Sequence, residues 1–132
     1  MPELTTDEVQ EAADRLVAAF AATDTDAYFA CFAPSASFVF HTESHRLDDR
    51  AAYEALWAGW IAEGWRVEEC ESTEQLVQIH GDSAVFSHNV RTTTSVAGER
   101  TTTFERESII FVRDGADLIA VHEHLSPAPA AD

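Results

Sequence analysis

Lysine is missing altogether from this 132-residue sequence, and its eight cationic residues are all arginine. Without lysine no Schiff base with a carbonyl substrate or a pyridoxal group can form, so lysine-centred covalent catalysis is excluded. Against those eight cations stand 24 Asp and Glu, a formal net charge of −16. Clustered cations that could neutralise phosphates are absent, so neither a nucleic acid nor an anionic membrane is expected as a partner. Cysteine is nearly as scarce. Cys31 and Cys70 form neither a disulfide framework nor a CxxC motif, and both read as small buried hydrophobes in a reducing compartment. Five glycines and four prolines are too few for a fibrous or disordered chain, and no apolar run approaches the length of a membrane span. The opening Met1-Pro2-Glu3-Leu4-Thr5-Thr6-Asp7-Glu8 is acidic and polar, unlike a secretory leader. GxGxxG and GxxxxGK[ST] are missing too, which excludes dinucleotide and P-loop sites. A soluble, cytoplasmic chain is the expectation.

What is present is ordered by kind. Thr5 stands three residues before Glu8 in a capping-box pattern, and Val9, Ala13, Leu16, Val17 and Phe20 recur at helical spacing, so a helix is predicted from about Thr6 to Ala22. Thr23 to Asp26 break it and cap a short helix carrying Tyr28, Phe29 and Phe32, which Pro34 stops. Ser37 to Phe40 read as a strand. Asp48 or Asp49 caps a third helix with Tyr53, Leu56, Trp57 and Trp60 on one face and Gly64 at its end. From Trp65 onward come three long stretches rich in Val, Thr, Ile and Phe and a short one, Leu118 to Leu125. Gly81-Asp82, Ala97-Gly98 and Asp114-Gly115 mark the turns between them. Residues 127–132 are expected to be a tail outside the folded part. Helices first and a sheet after is an α+β order.

Chemistry concentrates in the last two stretches. Strand alternation puts Arg106, Ser108, Ile110 and Val112 on one side, and Leu118, Ala120, His122, His124 and Ser126 on one side. A three-residue loop, either 113–115 or 114–116, brings Arg106 and both histidines to one face. A two-residue Asp-Gly loop would separate them. His88 alternates with Phe86 and Val90 and could join the interior, whereas His41, His45 and His80 sit in or beside loops and are expected in solvent. His122-x-His124 could reach one metal ion, but no Cys/His spacing supplies further ligands and Arg106 would repel a cation, so no metal is expected.

The run Arg106-x-Ser108-x-Ile110, Arg113-Asp114-Gly115, Val121-His122-Glu123-His124-Leu125-Ser126 resembles the C-terminal half of SnoaL-like domains of the nuclear transport factor 2-like superfamily. Its His-x-His-x-Ser ending is also similar to the association domain of calcium/calmodulin-dependent kinases. The order of elements from Thr6 to Pro127 agrees. Leu118 stands where the family usually has tryptophan, and Leu125 where the kinase domain has a pocket arginine. The resemblance implies N-terminal helices packed on a strongly bent antiparallel sheet, a cone with an interior pocket, and a homodimer formed through the sheet. Ketosteroid isomerase chemistry, known in this superfamily, is disfavoured: its base and oxyanion donor fall by ungapped matching on Phe40 and Leu16, which can do neither job.

From the resemblance and the strand parity together, the expected catalytic pair is His124 as acid or base and Arg106 orienting an anionic or carbonyl oxygen. His122, His88, Ser108, Phe40, Tyr53, Trp57 and Trp60 are the expected ligand contacts. The function expected is a small-molecule pocket, of isomerase, cyclase or hydratase type and without a cofactor, taking an apolar ligand with a carboxylate or carbonyl end. The other readings are a non-catalytic dimerisation or ligand-sensing module, and an Arg106 paired internally with a glutamate such as Glu43 or Glu69. Thr92, Thr94, Thr101, Thr103, Ile109, Phe111, Val121 and Leu125, opposite in parity, are the expected dimer face.

Overall fold

A computed structural model describes residues 3–129. Helix α1 (Thr6–Ala21) begins where the capping box places it: Thr5 Oγ1 accepts the Glu8 amide at 3.1 Å and Glu8 Oε1 accepts the Thr5 amide at 3.0 Å. Asp24 Oδ1 accepts the Ala27 amide to start α2 (Thr25–Phe29), and Asp49 Oδ1 accepts the Ala52 amide to start α3 (Arg50–Ala62). Gly64, at φ +88°, turns the chain out of α3 in a conformation that a side chain resists.

Between α2 and α3 lies β1 (Phe32–Phe40), longer than expected because Pro34 falls inside it instead of stopping a helix. β1 is an edge strand, where a missing N–H is tolerated. The strands β2 (Trp65–His80), β3 (Ser83–Val96), β4 (Glu99–Asp114) and β5 (Asp117–Pro127) follow, and the five form one sheet in the order β1-β5-β4-β3-β2. Four strands pair antiparallel, but β1 runs parallel to β5, so the sheet is mixed. The expected tail is shorter too. Pro127 belongs to β5 and the Ala128 amide bonds to Phe104 O at 2.9 Å, while residues 130–132 lie outside the described part.

The β4–β5 hairpin decides which side chains face inward. Asp114 pairs with Asp117 across a two-residue Gly115-Ala116 turn, not across a three-residue loop. Phe111 then pairs with Ala120 but Ile110 with His122, so Val121 is an extra residue on β5. Such a bulge reverses alternation. Before it Leu118 and Ala120 are buried; beyond it Glu123 is buried and His124 is exposed. Arg106 and both histidines do share a face, by a bulge and an even turn where an odd loop was expected.

The core packs α1 and α3 against the inner face of the sheet. α1 contributes Val9, Ala12, Ala13, Leu16 and Ala19, and β4 contributes Ile109 and Phe111. Aromatic rings fill the wider end, with Tyr28 stacked on Trp57 at 5.0 Å and Phe38 edge-on to Tyr53 at 4.7 Å. Trp57 is 1% exposed, its indole N–H donating to Thr25 Oγ1 at 2.9 Å. The expected dimer face is thereby corrected, since Ile109 and Phe111 are core and not outer surface. Arg113 ties the far end of β4 to α1, donating to both Glu8 oxygens at 3.1 and 3.0 Å.

Candidate functional site

The helices and the concave side of the sheet leave a cavity of about 320 Å³, at the lower end of small-molecule sites. Leu16, Phe20, Phe40, Tyr53, Trp60 and Trp65 supply apolar wall. Its polar part comes from His88 on β3, Glu105 and Glu107 on β4, and Glu123 on β5, neighbours because those strands are adjacent. Tyr28 and Tyr53, hydroxyls 3.0 Å apart, also reach it. Burial, and next the Glu123 charge, push both phenols well above their ordinary range, so both stay protonated.

A chain of hydrogen bonds holds the ring of His88 in place. On α1 the Gln10 amide donates to the Asp14 carboxylate at 2.9 Å, which settles its orientation, and also to Gln75 Oε1 at 3.0 Å. Gln75 Nε2 in turn donates to Ser72 Oγ at 2.8 Å. Ser72 thus has its own hydrogen free for His88 Nδ1, at 2.5 Å. The other ring nitrogen, Nε2, meets Glu107 Oε1 at 2.7 Å, so His88 lies between Ser72 and Glu107. His41, just past β1, bonds to Glu105 Oε2 at 2.6 Å, so this histidine expected in solvent has a carboxylate partner.

Glu123 has no such histidine. It is 2% exposed, and among the described residues its Oε2 has no hydrogen-bond partner. Burial, followed by the Glu107 carboxylate beside it, holds its carboxyl well above the usual range, so the acid keeps its proton to a higher pH than an ordinary carboxyl and shares a hydrogen bond with Glu107. Two adjacent carboxyls thus sit in unlike surroundings, one bonded to a histidine and one not, which is how one site can carry both an acid and a base. Cys70 also lines the cavity, but burial pushes its thiol up to about 11 and makes it a poor nucleophile.

Of the expected contacts, Phe40, Tyr53, Trp60 and His88 line the cavity. Trp57 does not; it lies in the core beneath, its polar end spent on Thr25. Arg106 and Ser108 by the alternation of β4, and His122 and His124 by the Val121 bulge in β5, lie on the opposite side of the sheet, where they border an open groove with Asn89 and Ser126. Arg106 is exposed and, among the described residues, in no ion pair, so it is neither a buried cation awaiting a ligand nor paired with Glu43 or Glu69. His122 Nδ1 meets Ser37 Oγ at 2.9 Å; partial burial and then the His124 charge lower its pKa. Among the described residues no three His, Cys, Asp or Glu converge as a metal site. Sequence reasoning missed Glu105, Glu107 and Glu123 as interior groups. The available signal was that Glu105 and Glu107 share parity with Ile109 and Phe111.

The helices laid in a sheet curled around a cavity define the nuclear transport factor 2-like cone. The chain belongs to the SnoaL-like domain family, whose model matches residues 9–131. Among solved structures it is similar to a nuclear transport factor 2-like protein of unknown function in nutrient uptake from Rhodospirillum rubrum, at 21% identity and TM-score 0.80 over 93% of this chain and 100% of that one. It is also similar to a protein of the same family from Streptomyces avermitilis proposed to be a dehydratase (16% identity, TM-score 0.79, 94% and 97% covered). The S. rosetta CaMKII hub matches at 22% identity and TM-score 0.77 over 97% of this chain and all of that one (100%). At these identities the likeness shows the fold alone. No curated protein matches the chain in sequence. No helix among the described residues is long and apolar enough to cross a membrane.

Proposed function

We propose that the cone interior binds a small, mostly apolar molecule and exchanges protons with it, as an isomerase, cyclase or hydratase-type member of the SnoaL-like family would. The observation that carries this reading is the buried, half-unpartnered Glu123 carboxyl beside the His88-bonded Glu107, at the wall of a cavity otherwise rich in aromatic and aliphatic side chains. Glu107, oriented by His88, takes a proton from the ligand, and Glu123 gives one to a ligand heteroatom. The proton gained by Glu107 can return to Glu123 across their shared hydrogen bond. Phe40, Tyr53 and Trp60 are the proposed walls, replacing the Arg106 and His124 site expected from sequence.

The carboxylate end expected of the ligand does not suit this interior, because it would add negative charge next to Glu105 and Glu107. Thermal shift with matched ketones, alcohols and carboxylates tests the reading on the wild type, Glu107→Gln and Arg106→Ala. Neutral ligands are expected to raise the melting temperature, with Arg106→Ala unchanged and Glu107→Gln altered. A carboxylate response that disappears in Arg106→Ala would move the site to the outer groove.

A homodimer through the outer side of the sheet is the second part of the proposal. Exposed Phe104 and half-buried Ile110 and Val112 lie there on β4, opposite in parity to the cavity set, and leave apolar surface that a second copy could cover. A purely non-catalytic dimerisation or ligand-sensing module would use the same surface and leave Glu107→Gln without effect on any turnover.

A further inference from the structure

We propose that the molecule this cavity takes is a lipophilic amine, its nitrogen held against Glu123 and its apolar body against the aromatic wall. The inference rests on the reading of the cone interior as the binding site and names the class of ligand for it. Glu123 Oε2 is a buried acceptor for which the described residues supply no donor. The histidines bonded to the neighbouring glutamates are already committed, His88 to Ser72 and Glu107 and His41 to Glu105. No arginine lines the cavity. A donor for Oε2 therefore has to arrive with the ligand, and a buried acceptor left without one is costly.

Charge narrows the class. Glu107 and Glu105, which act on Glu123, and Glu43 all border the cavity, so an incoming anion meets repulsion and an incoming cation attraction. The rings of Tyr28, Tyr53, Trp60, Phe20 and Trp65 line the same cavity, and a cation within about 6 Å of a ring centroid gains quadrupole attraction over its face. At longer range a net charge of −16 draws cations towards the molecule. An alcohol can donate one hydrogen bond to Oε2 but collects none of these charge effects. The proton balance is simple: the hydrogen carried by Glu123 passes to the nitrogen of a neutral amine, leaving an ammonium and a carboxylate in contact. An amine that arrives already protonated releases the Glu123 proton to solvent.

A matched set of probes separates these possibilities: 2-phenylethylamine, 2-phenylethanol and phenylacetate, titrated calorimetrically into the wild type and Glu123→Gln. The amine is expected to bind the wild type at least tenfold more tightly than the alcohol, with phenylacetate weakest. In Glu123→Gln the amine is expected to lose that advantage while the alcohol stays within about twofold. Should the variant fail to fold, the wild-type ranking decides alone. An alcohol that binds as tightly as the amine, or a preference for phenylacetate, overturns the amine assignment and leaves the pocket reading standing. Absence of binding by all three overturns both.

Discussion

Because burial and then the Glu107 carboxylate raise the Glu123 pKa, the folded chain keeps a proton that the unfolded chain releases near its ordinary 4.5. A group of this kind contributes its full stability below the unfolded pKa and loses it as pH rises, by up to about 1.4 kcal/mol per pH unit. Glu123→Gln is expected to melt higher than wild type at about pH 8 and to show a flatter profile from about pH 5 upward; parallel profiles would refute the protonated acid. Glu8 runs the other way. Hydrogen bonds from Arg113 first, then from the Thr5 backbone, hold its carboxyl below 4.5, so its contribution is present above that value and is lost as pH falls. Arg113→Ala should therefore melt lower than wild type at neutral pH, with the gap closing below about pH 4. Trp57→Ala, which empties a 1%-exposed site, should cost about 3–5 kcal/mol in denaturant unfolding. Phe40, Tyr53, Trp60 and His88 were legible from periodicity because apolar spacing names an inner face. The three interior glutamates were not, since a carboxylate is ordinarily too costly to bury and the sequence does not show that His88 and His41 stand opposite two of them.

Elements whose signals are local came through nearly intact. The Thr5–Glu8 box, the aspartates before α2 and α3 and the glycine after α3 each act within a few residues, and each stands where the sequence puts it. β5 shows the opposite case. Its first half and second half point different residues inward because of one inserted position, Val121, and nothing in Ile119-Ala120-Val121-His122 marks which residue will be the extra one. A parity argument over the whole strand was therefore right to keep His122 and His124 with Arg106, but wrong to join them to Leu118 and Ala120 and wrong about where they point. Deleting Val121 should restore unbroken alternation, turn Glu123 and Leu125 outward and leave the chain largely unfolded by circular dichroism at 25 °C, whereas Val121→Ala should fold. A deletion variant with native stability would show that the bulge does not set the face. The parallel pairing of β1 with β5 had no sequence signal either, because it joins segments at opposite ends of the chain.

At the scale of the molecule, charge and shape pull against each other. A sheet curled around a cavity leaves its outer side to be covered, but two copies at −16 each repel at long range. The proposed dimer should consequently tighten as salt is added, since the screening length falls from about 30 Å at 0.01 M to about 8 Å at 0.15 M. Light scattering at micromolar concentration is expected to report a dimer at the higher salt and a larger monomer fraction at the lower. A monomer at both would set the sheet interface aside.

The pairing of β1 with β5 also bears on how the chain comes into being. Ser37 meets the His122 ring across 85 positions of sequence, and a ribosome adds about 5–20 residues per second. For the seconds in between, Phe38 and Phe40 have been made and the strand that lies beside them has not. An edge with large aromatic side chains and unpaired backbone is an invitation to the wrong neighbour. α1, α2 and α3 are complete by then and can shelter those rings early. Final closure of the sheet waits for the last strand to leave the exit tunnel, so the newborn chain passes through a stage in which its helices are guarding a place for a partner not yet synthesised.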